Sequence, residues 1–458
     1  MDLSKYLRIA TGLTRSVGWM DAPWSRHIDW QDRPEPLSTK MSIGAVAGVG
    51  LGAVGVAAAE INALRGGPGG QVSVARDAAA LAMCANDFLR VDGKRPVSWP
   101  ELTRFYLAAD GWVFLHGGFP PQAKRLVAAL DAPADRDGLA ARLAGMTAQD
   151  IEDVCVAANT CGRRVRTFQE WNDHPASKAI AAQPVISLEP LGQGPARPWT
   201  SAERPLSGIR VLDLSRVLAG PTIGRTLAEH GADVLRIASP HLPSIEPLVI
   251  DTGYGKRSAY VDLETDAGRA ELTALVREAD VLIDGYRPGA LAAKGFGVND
   301  LDRMHPGIVY LTLSAFGETG PWGGTRGYDS LVQATVGLAK GDPPKRLPCQ
   351  PLDYLVGYLG AFAIMRALMV RAETGAGARI ELSLAGMAHW LRRIAAEVGP
   401  VATPPEKNPV TEDVPEQICE IDTVFGRISA LRPALDVPWR LRQWEAPVPL
   451  GTHDPVWL

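Results

Sequence analysis

The sequence lacks the cysteine patterns of metal-binding and disulfide-stabilised proteins. Among 458 residues there are only five cysteines, an odd number, and they are scattered along the chain. These are Cys84, Cys155, Cys161, Cys349 and Cys419. They match neither the ligand spacing of a zinc site nor a disulfide framework. We therefore expect no bound metal and a reducing, cytoplasmic location.

Signals for nucleic acids, secretion and membranes are also weak. The formal net charge of −4 gives no reason to expect nucleic acid or an anionic membrane as a partner. Asp2, Lys5 and Arg8 leave the N-terminus without the apolar core of a signal peptide. The uncharged segment 43–59 is slightly short for a bilayer and is built from glycine and alanine. It favours close helix packing in a protein core over membrane insertion.

What the sequence contains is typical of a globular protein with more than one domain. Hydrophobic residues make up 46% of the chain and charged residues 21%, and a length of 458 residues predicts two or three domains. The clearest linker is the glycine- and proline-rich stretch 194–205. We place a domain boundary there.

After this linker, short apolar strands alternate with helical patterns. Strands are predicted at 209–214, 233–237, 281–283 and 308–313, with helices at 222–230 and 265–278. This alternation predicts an α/β fold with a doubly wound, Rossmann-like parallel sheet. Ligands of such folds bind outside the carboxyl ends of the strands, where the loops 215–221, 286–288 and 314–324 fall. No G-x-G-x-x-G fingerprint follows the first strand, which argues against a nicotinamide-dependent oxidoreductase.

One segment of the chain is present twice. Residues 67–74 follow an apolar stretch in the same way that residues 375–382 follow a later one, at an offset of 308 positions. Both copies have an apolar helical stretch, a Gly-x-Gly turn and a short alternating strand. At the position equivalent to Asp353 the first copy has Ala45. The pattern predicts a duplication in which only the second copy keeps the carboxylate.

Asp353 is the residue around which the second copy is arranged. It follows Pro348 and Pro351 and precedes the apolar segment 355–370, which places it near the start of a helix. An aspartate at such a place is commonly an N-terminal cap. The blocks of sequence around it favour a chemical role instead.

Six blocks in the second half resemble, in the same order, the family III (CaiB/BaiF) CoA transferases, the group of the carnitine and formyl-CoA transferases. The blocks are residues 211–221, 255–258, 285–289, 315–321, 327–334 and 353–384. Each block alone is a weak signal, but their shared order makes the resemblance specific. It implies the fold of that family, with a large doubly wound domain and a smaller α+β domain.

The resemblance implies that Asp353 is the nucleophile, because it aligns with the catalytic aspartate of the family. Such a carboxylate attacks an acyl-CoA to give a mixed anhydride and then an aspartyl-CoA thioester. The aspartate must be ionised, so donors such as the N–H groups at the helix start are needed to offset its burial. The implied substrates are an acyl-CoA and a carboxylic acid, with no permanently bound cofactor.

The same resemblance suggests which residues contact coenzyme A. The candidates for its phosphates are Lys256, Arg257, Arg287 and Lys294. Tyr286 is the candidate for packing against adenine, and Tyr328 for lining the acyl site. The amides of Gly323 and Gly324 are candidates for an oxyanion site, although a flexible turn explains these glycines equally well.

The first half also resembles this family, but in an unusual order. Residues 106–116 resemble the small-domain hairpin, and 171–186 resemble the segment that returns from it. We predict a degenerate partial copy at 1–100, a small-domain-like region with a return linker at 101–200, the large domain at 201–395 and a C-terminal tail at 396–458. Family members form interlocked dimers, so the resemblance implies a homodimer, or a pseudo-dimer within one chain. His116 and His174 stand alone, and we expect structural or surface roles for both.

Two other functions remain open from the sequence. Related racemases use a histidine–aspartate pair beside the thioester carbonyl, whereas this chain has Tyr328-Asp329 at that place. The degenerate first copy and the altered order also fit a CoA-binding or interaction protein without activity. Neither the exchanged acids nor the number of chains per active site follows from the sequence.

Overall fold

A computed structural model describes residues 3–67, 70–96, 100–439 and 445–458 of the chain. The helices are α1 (Leu3–Ser16), α2 (Trp24–His27), α3 (Ile43–Leu64), α4 (Arg76–Ala82), α5 (Ala85–Phe88), α6 (Pro120–Ala129), α7 (Arg136–Ala144), α8 (Ala148–Ala157), α9 (Phe168–Asp173), α10 (Pro175–Ala181), α11 (Ala219–Glu229), α12 (Glu246–Asp251), α13 (Asp266–Val276), α14 (Val298–Met304), α15 (Asp329–Thr335), α16 (Pro351–Thr374) and α17 (Leu384–Val398). The strands are β1 (Ile28–Gln31), β2 (Val72–Ala75), β3 (Arg90–Val91), β4 (Arg104–Ala108), β5 (Gly111–Leu115), β6 (Gly162–Arg164), β7 (Ser187–Gln193), β8 (Arg210–Leu214), β9 (Asp233–Ala238), β10 (Lys256–Tyr260), β11 (Val281–Asp284), β12 (Val309–Ser314), β13 (Ala376–Ser383), β14 (Ile418–Thr423), β15 (Gly426–Leu431) and β16 (Leu435–Asp436).

The largest sheet has the strand order β10-β9-β8-β11-β12-β13-β7. Neighbouring strands from β10 to β13 are parallel, and β7 lies antiparallel to β13 at the edge. The direction of winding reverses between β8 and β11, so the loops after these two strands diverge and leave a crevice. The predicted doubly wound parallel sheet is confirmed, and the predicted strands are β8, β9, β11 and β12.

Strand β10 is absent from the sequence-based prediction because Lys256 and Arg257 interrupt its apolar pattern. In the fold, Lys256 is buried, and its ammonium Nζ lies 2.7 Å from Oδ2 of Asp213 and 2.6 Å from the carbonyl oxygen of Pro221. A charge can be buried when it is paired and hydrogen-bonded in this way. The edge strand β10 therefore lacks an apolar pattern because it contains a buried charged residue whose partner is distant in the sequence.

The apolar helices α3 and α16 occupy the centre of the molecule. α16 packs against α11, α17, strands β12 and β13, and α3. Both α3 and α16 are long and apolar enough to cross a bilayer, but 94% and 89% of their most apolar windows are buried within the fold. This burial is what close helix packing in a protein core predicts.

The internal repeat is visible in three dimensions. α3 and α16 begin 308 positions apart, and so do α4 and α17. A parallel strand pair accompanies the helices of each copy, β1 with β2 in the first and β12 with β13 in the second. In the described part of the chain, the sheet of the first copy contains only β16 in addition to its own two strands. The four-region division made from the sequence stays a prediction.

The region between the copies carries the predicted hairpin. β4 and β5 pair antiparallel across the two-residue turn 109–110, and β6 adds to β5. The helices α6 and α7 follow the hairpin, and α8 precedes β6. The chain then returns through α9 and α10 to β7, which places this region beside the carboxyl edge of the large sheet.

The last part of the chain is more ordered than an exposed tail. β14 and β15 form a hairpin that pairs with β3 of the first half. The final segment lies along β10, where Arg257 donates to the carbonyl oxygen of Val456 at 2.7 Å and the Ser258 N–H donates to Nδ1 of His453 at 3.2 Å. These bonds are between elements far apart in sequence, so no local pattern announces them.

Candidate active site

Asp353 lies in the first turn of α16 and is only 8% exposed. The carboxylate of Asp329 takes the capping role, because its Oδ2 accepts hydrogen bonds from the N–H groups of Leu352 at 2.8 Å and Asp353 at 3.2 Å. Among the described residues no donor bonds to the carboxyl group of Asp353 itself. The capping interpretation of Asp353 is therefore wrong, and its side chain is available for chemistry.

The two neighbouring carboxyl groups influence each other. Burial and the Asp329 carboxylate hold the pKa of Asp353 well above its usual range. Burial also raises the pKa of Asp329, to about 6, although Gln333 and the two helix amides bind its ionised form. The donors expected to lower the pKa of Asp353 bind Asp329 instead. The pair consequently retains a proton more strongly than an isolated aspartate does.

Asp353 lies between two cavities. The first, which we call the arginine cavity, has a volume of about 310 Å³ and lies between the loops that follow β8, β11 and β12. Its wall includes Arg216, Arg287 and Arg326. Burial lowers the pKa of Arg326, and the positive charges of Arg287 and Arg125 lower it further. Cations that repel one another in this way favour a polyanionic ligand.

The second cavity, which we call the acidic cavity, has a volume of about 300 Å³. It is lined by three carboxyl groups, those of Glu246, Asp329 and Asp353, and no lysine or arginine lines it within the described ranges. Val217 and Tyr328 line both cavities together with Asp353. The carboxyl group of Asp353 is thus placed where a cationic and an acidic chamber meet.

Both halves of the chain form the walls. Phe119 and Gln122 of the first half line the arginine cavity, and Asn86 and His116 line the acidic cavity. The hydroxyl group of Tyr328 donates to Oε1 of Gln122 at 2.9 Å. Segments that are distant in sequence therefore meet at Asp353.

His116 lines the acidic cavity, although it stands alone in the sequence. Its ring stacks on that of Tyr328, with centroids 4.0 Å apart. Its Nδ1 accepts the N–H of Gly118 at 3.2 Å, so the neutral ring carries its proton on Nε2. Burial and the charge of Arg346 lower the pKa of His116 to about 3, so the ring is neutral at physiological pH. His174 does have a structural role, because its ring nitrogen accepts the N–H of Ala176 at the start of α10.

The predicted CoA contacts are divided by the fold. Tyr286, Arg287 and Tyr328 line the arginine cavity with Asp353. Lys256, Arg257 and Lys294 do not line it: Lys256 is paired with Asp213, Arg257 with the C-terminal segment, and Lys294 with Glu264 at 2.5 Å. A motif fixes the position of a cation in the chain but not the direction of its side chain.

Lys256 nevertheless supports the site indirectly. Asp213, its partner, also accepts hydrogen bonds from the N–H and hydroxyl groups of Ser215, in the loop that follows β8. In this loop Val217 has a φ of 70°, a left-handed conformation that is costly for a β-branched residue. The buried ion pair therefore holds a strained loop whose residues 216 and 217 line the arginine cavity.

The structure adds two cations to the candidate site and removes the predicted pair of oxyanion donors. Arg216 and Arg326 line the arginine cavity but were not singled out, although both belong to or adjoin the recognised blocks. The amides of Gly323 and Gly324 are bonded to the carbonyl oxygens of Gly320 and Gly317. These two amides close their own turn, so an oxyanion role for them is not supported.

Comparison with known proteins places the chain among CoA transferases. The sequence profile of CoA-transferase family III matches residues 11–192 and 206–419, on both sides of the linker. An acetyl-coenzyme A transferase of Hypoxylon pulicicidum is 29% identical over 325 residues, which cover 64% of this chain and 54% of the relative. A succinate–glutarate CoA-transferase of Agrobacterium fabrum is 34% identical over 203 residues, covering 39% and 51%. A CAIB/BAIF family protein of Brucella suis of known crystal structure is 30% identical, covering 49% of this chain and 65% of that one with a TM-score of 0.39. The chain spans about half the length of the curated relatives it matches.

Proposed function

The chain belongs to CoA-transferase family III, and we propose that it moves CoA from an acyl-CoA to a free carboxylic acid, with Asp353 as the nucleophile. The observation that carries the proposal is the position of Asp353 between two cavities of opposite charge. The anionic phosphates of an acyl-CoA are complementary to the arginine cavity, and its acyl group lies at the opposite end of the molecule. The thioester joins these parts, and Asp353 lies where it would be bound.

The arginine cavity fits the CoA part of the substrate. Arg216, Arg287 and Arg326 supply positive charge at the crevice between β8 and β11, where ligands of doubly wound sheets bind. Guanidinium groups bind phosphate oxygens through two parallel hydrogen bonds. Tyr286 lines the same cavity and offers an aromatic face to the adenine ring.

The transfer proceeds in four steps. The Asp353 carboxylate attacks the thioester carbon, the C–S bond breaks, and CoA leaves as a thiolate, which gives a mixed anhydride. The thiolate then attacks the aspartyl carbonyl carbon, releasing the first acid as a carboxylate and leaving an aspartyl-CoA thioester. The incoming carboxylate attacks this thioester and forms a second anhydride with release of the thiolate. Attack of the thiolate on the acyl carbon yields the new acyl-CoA and restores Asp353.

The first step requires Asp353 to be ionised. The free site favours the protonated carboxyl group because of burial and the nearby Asp329. Asp353 must therefore lose its proton before it attacks the thioester, and the poorly solvated carboxylate that results is a stronger nucleophile. CoA enters as a substrate. Each covalent bond that forms in the reaction joins atoms of Asp353, the two acids or the CoA thiol.

Intact-protein mass spectrometry after incubation with acyl-CoAs tests the proposal. The aspartyl-CoA thioester is reduced by borohydride or converted to a hydroxamate by hydroxylamine, and both products change the mass of the chain. We expect a modified wild-type protein and an unmodified Asp353→Ala variant. Asp329→Ala is the matched control, because it removes the adjacent carboxylate but leaves the nucleophile.

The outcome separates the proposal from a binding protein without activity. If no acyl-CoA modifies the wild type although CoA binds tightly, the transferase proposal is wrong and the chain is a CoA-binding protein. If an adduct forms equally on the Asp353→Ala variant, another residue is the nucleophile. Absence of CoA binding would remove the assignment of both cavities.

Proton exchange beside the thioester carbonyl is less well supported. It requires two proton carriers. Among the described residues that line the acidic cavity, His116 is the histidine that could act as one of them. The Nδ1 lone pair of this histidine is already bonded to Gly118, and the pKa of about 3 makes the ring a weak base. Loss of deuterium from the α-carbon of a labelled acyl-CoA at a rate comparable to CoA transfer would favour the racemase instead.

A further inference from the structure

The lining of the acidic cavity indicates which acyl groups the site accepts. This inference rests on the proposed transfer reaction. If the phosphates of CoA occupy the arginine cavity, the acyl group extends from Asp353 into the acidic cavity. The charges that line this second cavity then decide which acyl groups are accepted.

These charges have one sign. Glu246, Asp329 and Asp353 contribute carboxyl groups, and the remaining lining is neutral or apolar, including Asn86 and Leu248. His116 adds no positive charge at physiological pH because its ring is neutral.

Arg346 is a cation close to this cavity. Arg346 influences the pKa of both His116 and Asp329, so it lies close to them, but it does not line the cavity. Its guanidinium group also lies 5.8 Å from the ring centroid of Phe114. A carboxylate at the far end of an acyl chain would therefore meet acidic side chains before it met this arginine.

We propose that the site selects uncharged acyl groups and discriminates against those with a second carboxylate, such as succinyl. A dicarboxylate would lose part of its hydration in the cavity and be repelled by Glu246 and Asp329, without a cation in the lining to compensate. The acceptor acid occupies the same cavity when it attacks the aspartyl-CoA thioester. The selection therefore applies to donor and acceptor alike, and both are monocarboxylic acids.

A pair of thioesters with the same shape tests this selection. 4-Methylpentanoyl-CoA ends in an isopropyl group where succinyl-CoA ends in a carboxylate, so the two differ mainly in charge. The second-order rate constant for adduct formation on Asp353 is measured for each by quenching with borohydride and weighing the intact chain. We expect the neutral thioester to react roughly 10- to 100-fold faster, as expected for like charges at short range in a partly buried site.

Variants at Glu246 locate the source of the selection. Glu246 is exposed and begins α12, so a change there does not disturb the core. We expect Glu246→Gln to reduce the ratio of the two rate constants, neutral over charged thioester, several-fold. Glu246→Arg should reduce this ratio further or reverse the preference. Glu271→Arg is the matched control, because it makes the same change of charge at an exposed position of α13 that does not line the cavity. It should leave the ratio of the two rates unchanged.

The outcomes distinguish this inference from the proposed function. An equal or faster reaction of succinyl-CoA on Asp353 overturns the selection but supports the transferase. An unchanged ratio in both Glu246 variants shows that the acyl group does not lie in the acidic cavity. Failure of both thioesters to modify Asp353 overturns the transferase itself, and the selectivity with it.

Discussion

The two copies of the repeated segment share a glycine that helix packing requires, but only one copy has the carboxylate that we propose as the nucleophile. Gly52 of α3 and Gly360 of α16 are equivalent at the offset of 308. A Cβ atom at Gly52 would lie 2.6 Å from the ring of Trp30, and one at Gly360 would lie 2.7 Å from Cδ1 of Ile223. Both copies thus keep a glycine because a large side chain lies against the helix.

The starts of the two helices differ in an informative way. In the second copy Asp329 accepts the N–H of Leu352, and in the first copy Oε2 of Glu35 accepts the equivalent N–H of Gly44 at 2.8 Å. The capping carboxylate is therefore present in both copies, although it comes from different parts of the chain. Only the second copy has the other carboxylate, Asp353. The comparison separates an acid that completes a helix from an acid that is free to react.

The surroundings of the two helix starts explain why one carboxylate is missing. The connection from β1 to α3 spans residues 32–42, whereas that from β12 to α16 spans residues 315–350 and supplies Arg326 and Tyr328. Ala45, which is 2% exposed, lines neither of the two cavities. Without a cavity, a carboxylate at position 45 would be buried without a ligand, which is unfavourable.

The largest expected effect comes from moving the carboxylate between the copies. Asp353→Ala should reduce CoA exchange by at least about 10³-fold, because the covalent route is lost. Adding Ala45→Asp to this variant should restore nothing, because position 45 lacks both cavities. The measurement is the rate of CoA exchange together with the number of adducts per chain, which we expect to be one in the wild type.

The same swap has a consequence for stability. Ala45→Asp alone should lower the free energy of unfolding by about 2–4 kcal/mol, since it buries a carboxyl group beside Glu35. Asp353→Ala should not lower it, because it removes a buried carboxyl group that lies close to another. Two adducts per chain in the Ala45→Asp variant would show that the first copy retains a binding site. This result would contradict the conclusion that only the second copy can react.

A smaller effect concerns pH. Burial and the nearby Asp329 raise the pKa of Asp353, so the rate of adduct formation should increase with pH as Asp353 loses its proton. Asp329→Asn removes the like charge and should shift this increase to lower pH, which raises the relative rate at pH 6 several-fold. Glu35→Gln is the control in the first copy and should leave the profile unchanged. A profile that moves equally in both variants would point to a global effect on the fold.

The smallest effects come from the shared glycines. Gly52→Ala and Gly360→Ala should each destabilise the protein by about 1–3 kcal/mol, because Trp30 and Ile223 must move. At Gly50 a Cβ atom would lie 3.4 Å from the end of Leu355, a flexible side chain. Gly50→Ala should therefore change stability by less than about 1 kcal/mol, since helix propensity offsets the crowding. Thermal unfolding of the three variants measures the difference, and a large loss at Gly50 would contradict it.

Local pattern accounts for much of the fold but for only part of the site. The alternation of strands and helices predicted the large sheet, and the offset of 308 predicted the second helix copy. The fold brings Asp353, Tyr286 and Arg287 to one cavity, because loops at the carboxyl ends of parallel strands converge. The sequence does not encode locally which cation turns inward, so Lys256 was assigned to CoA although Asp213 binds it.

His116 shows the same limit from the other direction. It has no partner spacing in the sequence, and its neighbour Tyr328 is more than 200 positions away. Only the docking of the hairpin region onto the second half brings the two rings together. Contacts between segments that fold back from opposite halves leave no periodic signal, and these contacts bring residues of both halves into the lining of the acidic cavity.

The position of β7 has a consequence for how the protein is made. β7 belongs to the first half, yet it forms the edge of the large sheet beside β13. Translation at about 5–20 residues per second means that β7 leaves the ribosome roughly 10 s or more before its partner exists. Until then it is an unpaired strand, and β13 without it would be an open sheet edge prone to pairing with other chains. The large sheet is therefore complete only after the second half has been synthesised. Slow translation after the linker should increase aggregation rather than help folding.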